Sequence, residues 1–203
     1  MKLRKGGVGV FYYAGHGIQV EGENYLIPID AQLNSEKDVN YEALPVGKVQ
    51  NLMEELGTET NVIILDACRN NPFSRRWYRS TPVRGLAPIQ AVSGSYIAFA
   101  TAPGLVAKDG ENRNGTFTSY ILKYIKTPNL SIENLFKKVR QNVAKVTNNA
   151  QIPWDSSSLI NDFSFKTVAP ADTNTPPSVS TSKPEPSPKQ QTNSTFVSIP
   201  AWK

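Results

Sequence analysis

Residues 62–73 read Val-Ile-Ile-Leu-Asp-Ala-Cys-Arg-Asn-Asn-Pro-Phe. An unbroken apolar run, rich in β-branched residues, leads into a carboxylate, a small residue and the chain's single cysteine, and then into polar residues and proline. Such a run, with no polar alternation, predicts a strand over 61–67 that is buried on both faces. Two similar runs flank it. Residues 8–13, Val-Gly-Val-Phe-Tyr-Tyr, lead into Ala14-Gly15-His16-Gly17, and residues 95–100, Ser-Tyr-Ile-Ala-Phe-Ala, lead into Thr101-Ala102-Pro103-Gly104. A shorter strand is predicted over 25–29. Val46, Val49, Leu52, Met53 and Leu56 recur at helical spacing, with Gly57 as the stop signal. A helix is predicted over 116–125. Ser131 can cap another, whose apolar stripe is Ile132, Leu135, Phe136, Val139, Val143 and Val146. Strands that alternate with helices and are buried on both faces imply an α/β fold, a mostly parallel sheet with helices on each face.

The rest of the composition narrows the function classes. The chain has 203 residues, 39% of them hydrophobic, and a mean hydropathy of -0.37, as expected of one soluble domain with an appendage. No apolar run approaches the roughly 20 residues needed to cross a bilayer. The basic start, Met1-Lys2-Leu3-Arg4-Lys5, is followed by a stretch too short and too glycine-broken for a signal peptide. The sequence therefore favours the cytoplasm and no membrane partner. One cysteine excludes an internal disulfide framework, and one histidine beside it argues against a zinc site. No cofactor or metal is called for, and no motif encodes calcium dependence or oligomeric state. The net charge of +5 is local. Residues 67–108 contain no acid but hold Arg69, Arg75, Arg76, Arg79, Arg84 and Lys108, and outside this stretch acids and bases nearly balance. These bases fall in a loop, without the interleaved aromatics of a binding stripe, which argues against a nucleic-acid partner. Residues 169–203 are rich in Pro, Ser, Thr, Asn and Gln and poor in large apolar groups, so they read as a disordered tail after a folded unit of residues 1–168.

In a parallel sheet, reactive groups collect in the loops beyond the carboxyl ends of the strands. The only histidine and the only cysteine both stand there, on strands that can lie about 4.8 Å apart. A thiol needs a base or a nearby cation to become a useful nucleophile at neutral pH, and histidine supplies both. Gly15 and Gly17 would leave room around His16 for a substrate backbone. His16 and Cys68 are therefore the candidate catalytic pair. Nothing in the sequence marks a third member, which a thiol needs less than a hydroxyl does.

Residues 12–17 (Tyr-Tyr-Ala-Gly-His-Gly), 24–30 (Asn-Tyr-Leu-Ile-Pro-Ile-Asp), 62–73 and 95–104 together resemble the caspase-like family, most closely the bacterial caspase-domain and metacaspase-like proteins. The resemblance runs from about Gly7 to Phe165. It implies a cysteine endopeptidase acting on protein or peptide substrates. In it His16 matches the catalytic histidine, Cys68 the nucleophile, and the backbone N–H groups of Gly17 and Cys68 the oxyanion hole. Family members that cut after aspartate carry a glutamine two residues before the cysteine and an arginine after the later Pro-Gly. Here Asp66 and Asp109 stand at those positions. The substitution implies a pocket that repels aspartate and takes arginine or lysine. The plainer alternatives are that Asp66 caps a local turn and that Asp109 makes an Asp-Gly turn. Asp30 is a weaker candidate at the rim.

The resemblance also implies two strands and a helix ahead of the histidine strand. This chain begins almost at that strand, so it reads as N-terminally incomplete, with residues 8–13 an exposed apolar edge. Residues 74–84, Ser-Arg-Arg-Trp-Tyr-Arg-Ser-Thr-Pro-Val-Arg, fall where the family joins its large and small subunits. Their basic, proline-punctuated character suggests self-cleavage after Arg75, Arg76, Arg79 or Arg84. The alternative function is a catalytically silent caspase-like interaction module.

Overall fold

The computed structural model describes residues 5–68, 86–102 and 114–168. Within them β1 (Val8–Val20), β2 (Glu23–Ile27), β3 (Leu44–Pro45), β4 (Thr60–Cys68), β5 (Ser95–Phe99) and β6 (Trp154–Ser157) form one six-stranded sheet in the order β3-β2-β1-β4-β5-β6. The ladders β1·β4 and β4·β5 are parallel, whereas β1·β2, β2·β3 and β5·β6 are antiparallel. The sheet is thus mixed, with a parallel centre and antiparallel flanks.

β4 shows why residues 61–67 needed an unbroken apolar run. Val62 and Ile64 point to one face and Ile63, Leu65 and Ala67 to the other, and both sets are buried. The first face is covered by α3 (Thr116–Tyr124) and α4 (Ile132–Val146) through Phe117, Ile121, Leu135, Phe136, Val139 and Val143. On the second face α2 (Val46–Glu55) packs through Val46, Val49 and Met53, together with Leu86. A smaller cluster, Ile18, Val20, Leu33, Val39 and Ala43, joins the β1–β2 end to the single-turn helix α1 (Val39–Glu42). The α4 stripe is the predicted one through Val143, while Val146 is exposed. The Ser131 hydroxyl accepts from the Asn134 amide at 3.4 Å, and Gly57 closes the α2 turn at φ +67°.

Polar side chains, of which Asn24 and Gln151 are buried, bind the connecting segments to the sheet. The Asn24 side chain donates to the Ala87 carbonyl at 2.9 Å and accepts from the Ala87 amide at 2.7 Å. The Gln151 amide donates to the Ala100 carbonyl at 2.9 Å. Arg140 donates to the Pro153 carbonyl and pairs with Asp155 on β6. The described chain ends on Val168, whose amide and carbonyl are both bonded to the Asn129 side chain.

One expectation is corrected here. The first strand does not stop at Ala14-Gly15; it continues through Gly15-His16-Gly17 to Val20, because neither glycine takes a positive φ. The real turn is Glu21-Gly22, with φ of 51° and 85°, a pair of left-handed residues that suits the right-handed twist of a two-residue hairpin. β1 lies between β2 and β4, but β2 pairs only with residues 16–20; among the described residues, 8–15 pair with β4 alone, so the segment 8–13 is the edge expected of it.

Candidate active site

The parallel ladder between β1 and β4 places His16 opposite Cys68, the last residue of β4. The same residue of β1 faces Ile27 in the antiparallel ladder with β2, so the backbone at position 16 is held from both sides. His16 therefore stands within a continuous strand and not in a loop beyond one. The side chains at 12, 14 and 16 share one face of β1, and all three are exposed: Tyr12 (46%), Ala14 and His16. Gly17 is the first residue of β1 past the last rung shared with β4.

The glycines around His16 have a different reason from the one expected. A Cβ at Gly15 would lie 2.6 Å from the Tyr13 hydroxyl. At Gly17 it would lie 3.0 Å from Leu86 Cδ2 and 3.1 Å from Ala67 Cβ. Both positions point away from the His16 face, and what they make room for is packing underneath the histidine. Tyr13 Oη lies 2.8 Å from the carbonyl oxygens of both His16 and Ile27 and shares its one proton between them, bracing β1 to β2 at the histidine. Burial pushes this phenol up to about 12.

Asp66, on β4 opposite Ala14, is 9% exposed. Its Oδ2 accepts from the Thr118 hydroxyl at 2.5 Å, and the Thr118 oxygen lies 2.7 Å from Tyr12 Oη. Gly115, the N-cap of α3, approaches so closely that a Cβ there would sit 3.0 Å from Asp66 Oδ2. The carboxylate thus joins β4 to the start of α3, beside the exposed Tyr12–Ala14–His16 row. Tyr12 is held above its ordinary value chiefly by burial, with the Asp66 charge adding to it. Asp30 is exposed. Asp109, Arg75, Arg76, Arg79, Arg84 and the side chain of Cys68 lie outside the described residues.

Three participants escaped the sequence reading. Thr118 sits in a helix with nothing to distinguish it from an ordinary surface threonine. Tyr12 and Tyr13 read simply as strand-forming aromatics. The one usable signal was the Tyr13–Gly15 pair, two residues apart and so on the same face of a strand, where a missing side chain leaves space for a ring.

A six-stranded α/β sheet with a histidine and a cysteine on facing rungs agrees with the family comparison. The Caspase domain family model matches residues 2–164, and the chain belongs to that family of cysteine peptidases. Over 125 residues it is 32% identical to the human (Homo sapiens) mucosa-associated lymphoid tissue lymphoma translocation protein 1 and to the mouse (Mus musculus) homolog. The alignment covers 61% of this chain and 14% of each of those proteins, so the chain spans a small part of their length. Among the described residues no helix is long and apolar enough to cross a membrane.

Proposed function

We propose that the chain is a cysteine endopeptidase working through a His16–Cys68 dyad and cleaving protein or peptide chains after arginine or lysine. The observation that supports this best is the rung shared by His16, itself exposed, and Cys68 at the carboxyl end of the β1–β4 ladder. On this reading the Cys68 thiolate attacks the scissile carbonyl, and His16 delivers a proton to the departing amine. A thioester forms as the amide C–N bond breaks, and water then hydrolyses it to regenerate the thiol. The backbone N–H groups of Gly17 and Cys68 are the proposed donors to the tetrahedral oxyanion. Asp66 and Asp109 supply the negative charge of the pocket. The buried carboxylate of Asp66, opposite Ala14 and beside the exposed Tyr12–Ala14–His16 face of β1, supports the basic preference. The catalytic unit is proposed to be residues 1–168, with 169–203 as an appended tail.

The test is turnover of fluorogenic peptides that differ only in the residue before the cut. Cys68→Ala should abolish cleavage with the circular dichroism spectrum unchanged, and His16→Ala should lower kcat by about 10²-fold or more. Cleavage surviving Cys68→Ala would overturn the dyad, and a preference for aspartate would overturn the pocket. A well-folded wild-type chain that turns over none of the panel would favour the silent interaction module.

A further inference from the structure

We propose that Tyr12 and Thr118 form a hydroxyl relay that orients the Asp66 carboxylate and thereby sets the preference for arginine over lysine. The inference rests on the reading of Asp66 as a wall of the substrate pocket. Its starting point is a question of proton placement. An ionised carboxylate can only accept, so the Thr118 proton must point at Asp66 Oδ2. The Thr118 oxygen has no second proton to give, so Tyr12 must be the donor in the 2.7 Å contact between the two hydroxyls. Both O–H dipoles therefore point along one line toward the carboxylate. Such chains polarise each other, and a charged acceptor strengthens them further.

The relay also has a rigid frame. Tyr12 is carried on β1, Asp66 on β4 and Thr118 on the first turn of α3, so the three groups come from three elements locked by the core. Gly115 closes the fourth side, since any side chain there would press on the same oxygen that Thr118 holds. Oδ2 is thus held in place by Thr118 and hemmed in by Gly115, which fixes the plane of the carboxylate. A guanidinium binds a carboxylate edge to edge through two parallel hydrogen bonds and so depends on that plane. An ammonium is a compact point charge with rotatable donors and depends on it much less. Tyr12, half-exposed beside Ala14 and His16, places the outer end of the relay on the face the substrate would cross.

The prediction is therefore a change in a ratio. Thr118→Val keeps the shape of the side chain and deletes the donor. It should lower kcat/KM for an arginine peptide about tenfold and for the matched lysine peptide about twofold, so the Arg/Lys ratio falls about fivefold. Thr118→Ser should restore the ratio. Tyr12→Phe should move it the same way by a smaller factor, and Gly115→Ala should move it while leaving both hydroxyls in place. Calorimetric binding of the same peptides to the Cys68→Ala protein gives a readout independent of turnover. Circular dichroism confirms that each variant is folded. Equal losses for arginine, lysine and neutral citrulline peptides would overturn the relay, because they would mean that Thr118 merely secures α3. An Asp66→Asn variant separates the two ideas. If it leaves the arginine-to-citrulline ratio unchanged, the pocket reading falls and takes the relay with it. If it collapses that ratio while Thr118→Val leaves Arg/Lys untouched, the pocket stands and the relay is wrong.

Discussion

Gly15→Ala would add a single methyl group, and the structure says where the methyl must go. Its carbon would lie 2.6 Å from Tyr13 Oη, 2.9 Å from Cζ and 3.3 Å from Cε1. Ordinary van der Waals contact begins near 3.4 Å, so the hydroxyl has to retreat by most of an ångström. It then leaves the carbonyls of His16 and Ile27, both now 2.8 Å away. Losing a hydrogen bond of this kind costs about 0.5–1.5 kcal/mol net, and leaving a half-buried carbonyl unsatisfied costs more. Against this, alanine gains about 0.4–1 kcal/mol by restricting the unfolded chain. The expected net loss is about 1–2 kcal/mol, which for a protein of this size lowers Tm by about 2–8 °C. Urea unfolding followed by tryptophan fluorescence would measure it. The decisive arm repeats Gly15→Ala in a Tyr13→Phe background. With the hydroxyl gone, the closest contact and the hydrogen bonds it would forfeit are gone, and only the ring edge, with Cζ at 2.9 Å, must still shift, so the second substitution should cost less by about 1 kcal/mol than it does alone. Strict additivity would refute the argument that Gly15 is glycine because of Tyr13. The same substitution should depress peptide cleavage, since it loosens the strand that carries His16.

Tyr13 also predicts a pH dependence. Its folded value is raised to about 12 from an ordinary value near 10, so the neutral phenol is favoured in the fold. That contribution is complete below pH 10 and is lost as pH rises through about 12; the alkaline fall in urea midpoint should be shallower in Tyr13→Phe. Phe136 stacks on Tyr96 with centroids 5.3 Å apart and touches Phe117 at 6.0 Å. Phe136→Ala should therefore cost about 3–5 kcal/mol in the same assay, and a loss below 1 kcal/mol would contradict its place in the core. The basic segment 74–84 predicts self-processing. Wild type, incubated beside Cys68→Ala, should yield fragments whose masses end at Arg75, Arg76, Arg79 or Arg84. An intact wild-type chain that still cuts peptides would show that the arginines serve something else.

Hydrophobic patterning located the three central strands and the three main helices because burial on two faces leaves an unmistakable run. Val62-Ile63-Ile64-Leu65 can hardly be anything else. It did less well where geometry depends on partners. β3 and β6 are two and four residues long and carry little apolar signal; they are strands because Leu26 and Phe99 offer them a ladder. The end of β1 was misjudged because glycine was read as a breaker, whereas Gly15 and Gly17 here accommodate neighbours within an extended strand. His16 and Cys68 were legible as rare residues following apolar runs. Asp66 was legible from its spacing to Cys68, but its link to Thr118 was not, because that contact spans 52 residues of sequence and depends on how α3 crosses the sheet.

The rung that joins His16 to Cys68 has a consequence for the order of events in the life of the molecule. The two residues are far apart in the chain, and only the parallel pairing of β1 with β4, across a hairpin and two helices, brings them face to face. Parallel pairing of this kind is a late and slow event in folding, because the loop must close before any contact rewards it. On the proposed dyad, a growing or half-folded chain would carry both groups and still be inert, so that a ribosome-bound copy would pose no danger to itself or to its neighbours. Competence would arrive only with the finished sheet, and the sheet would act as the molecule's own safety catch.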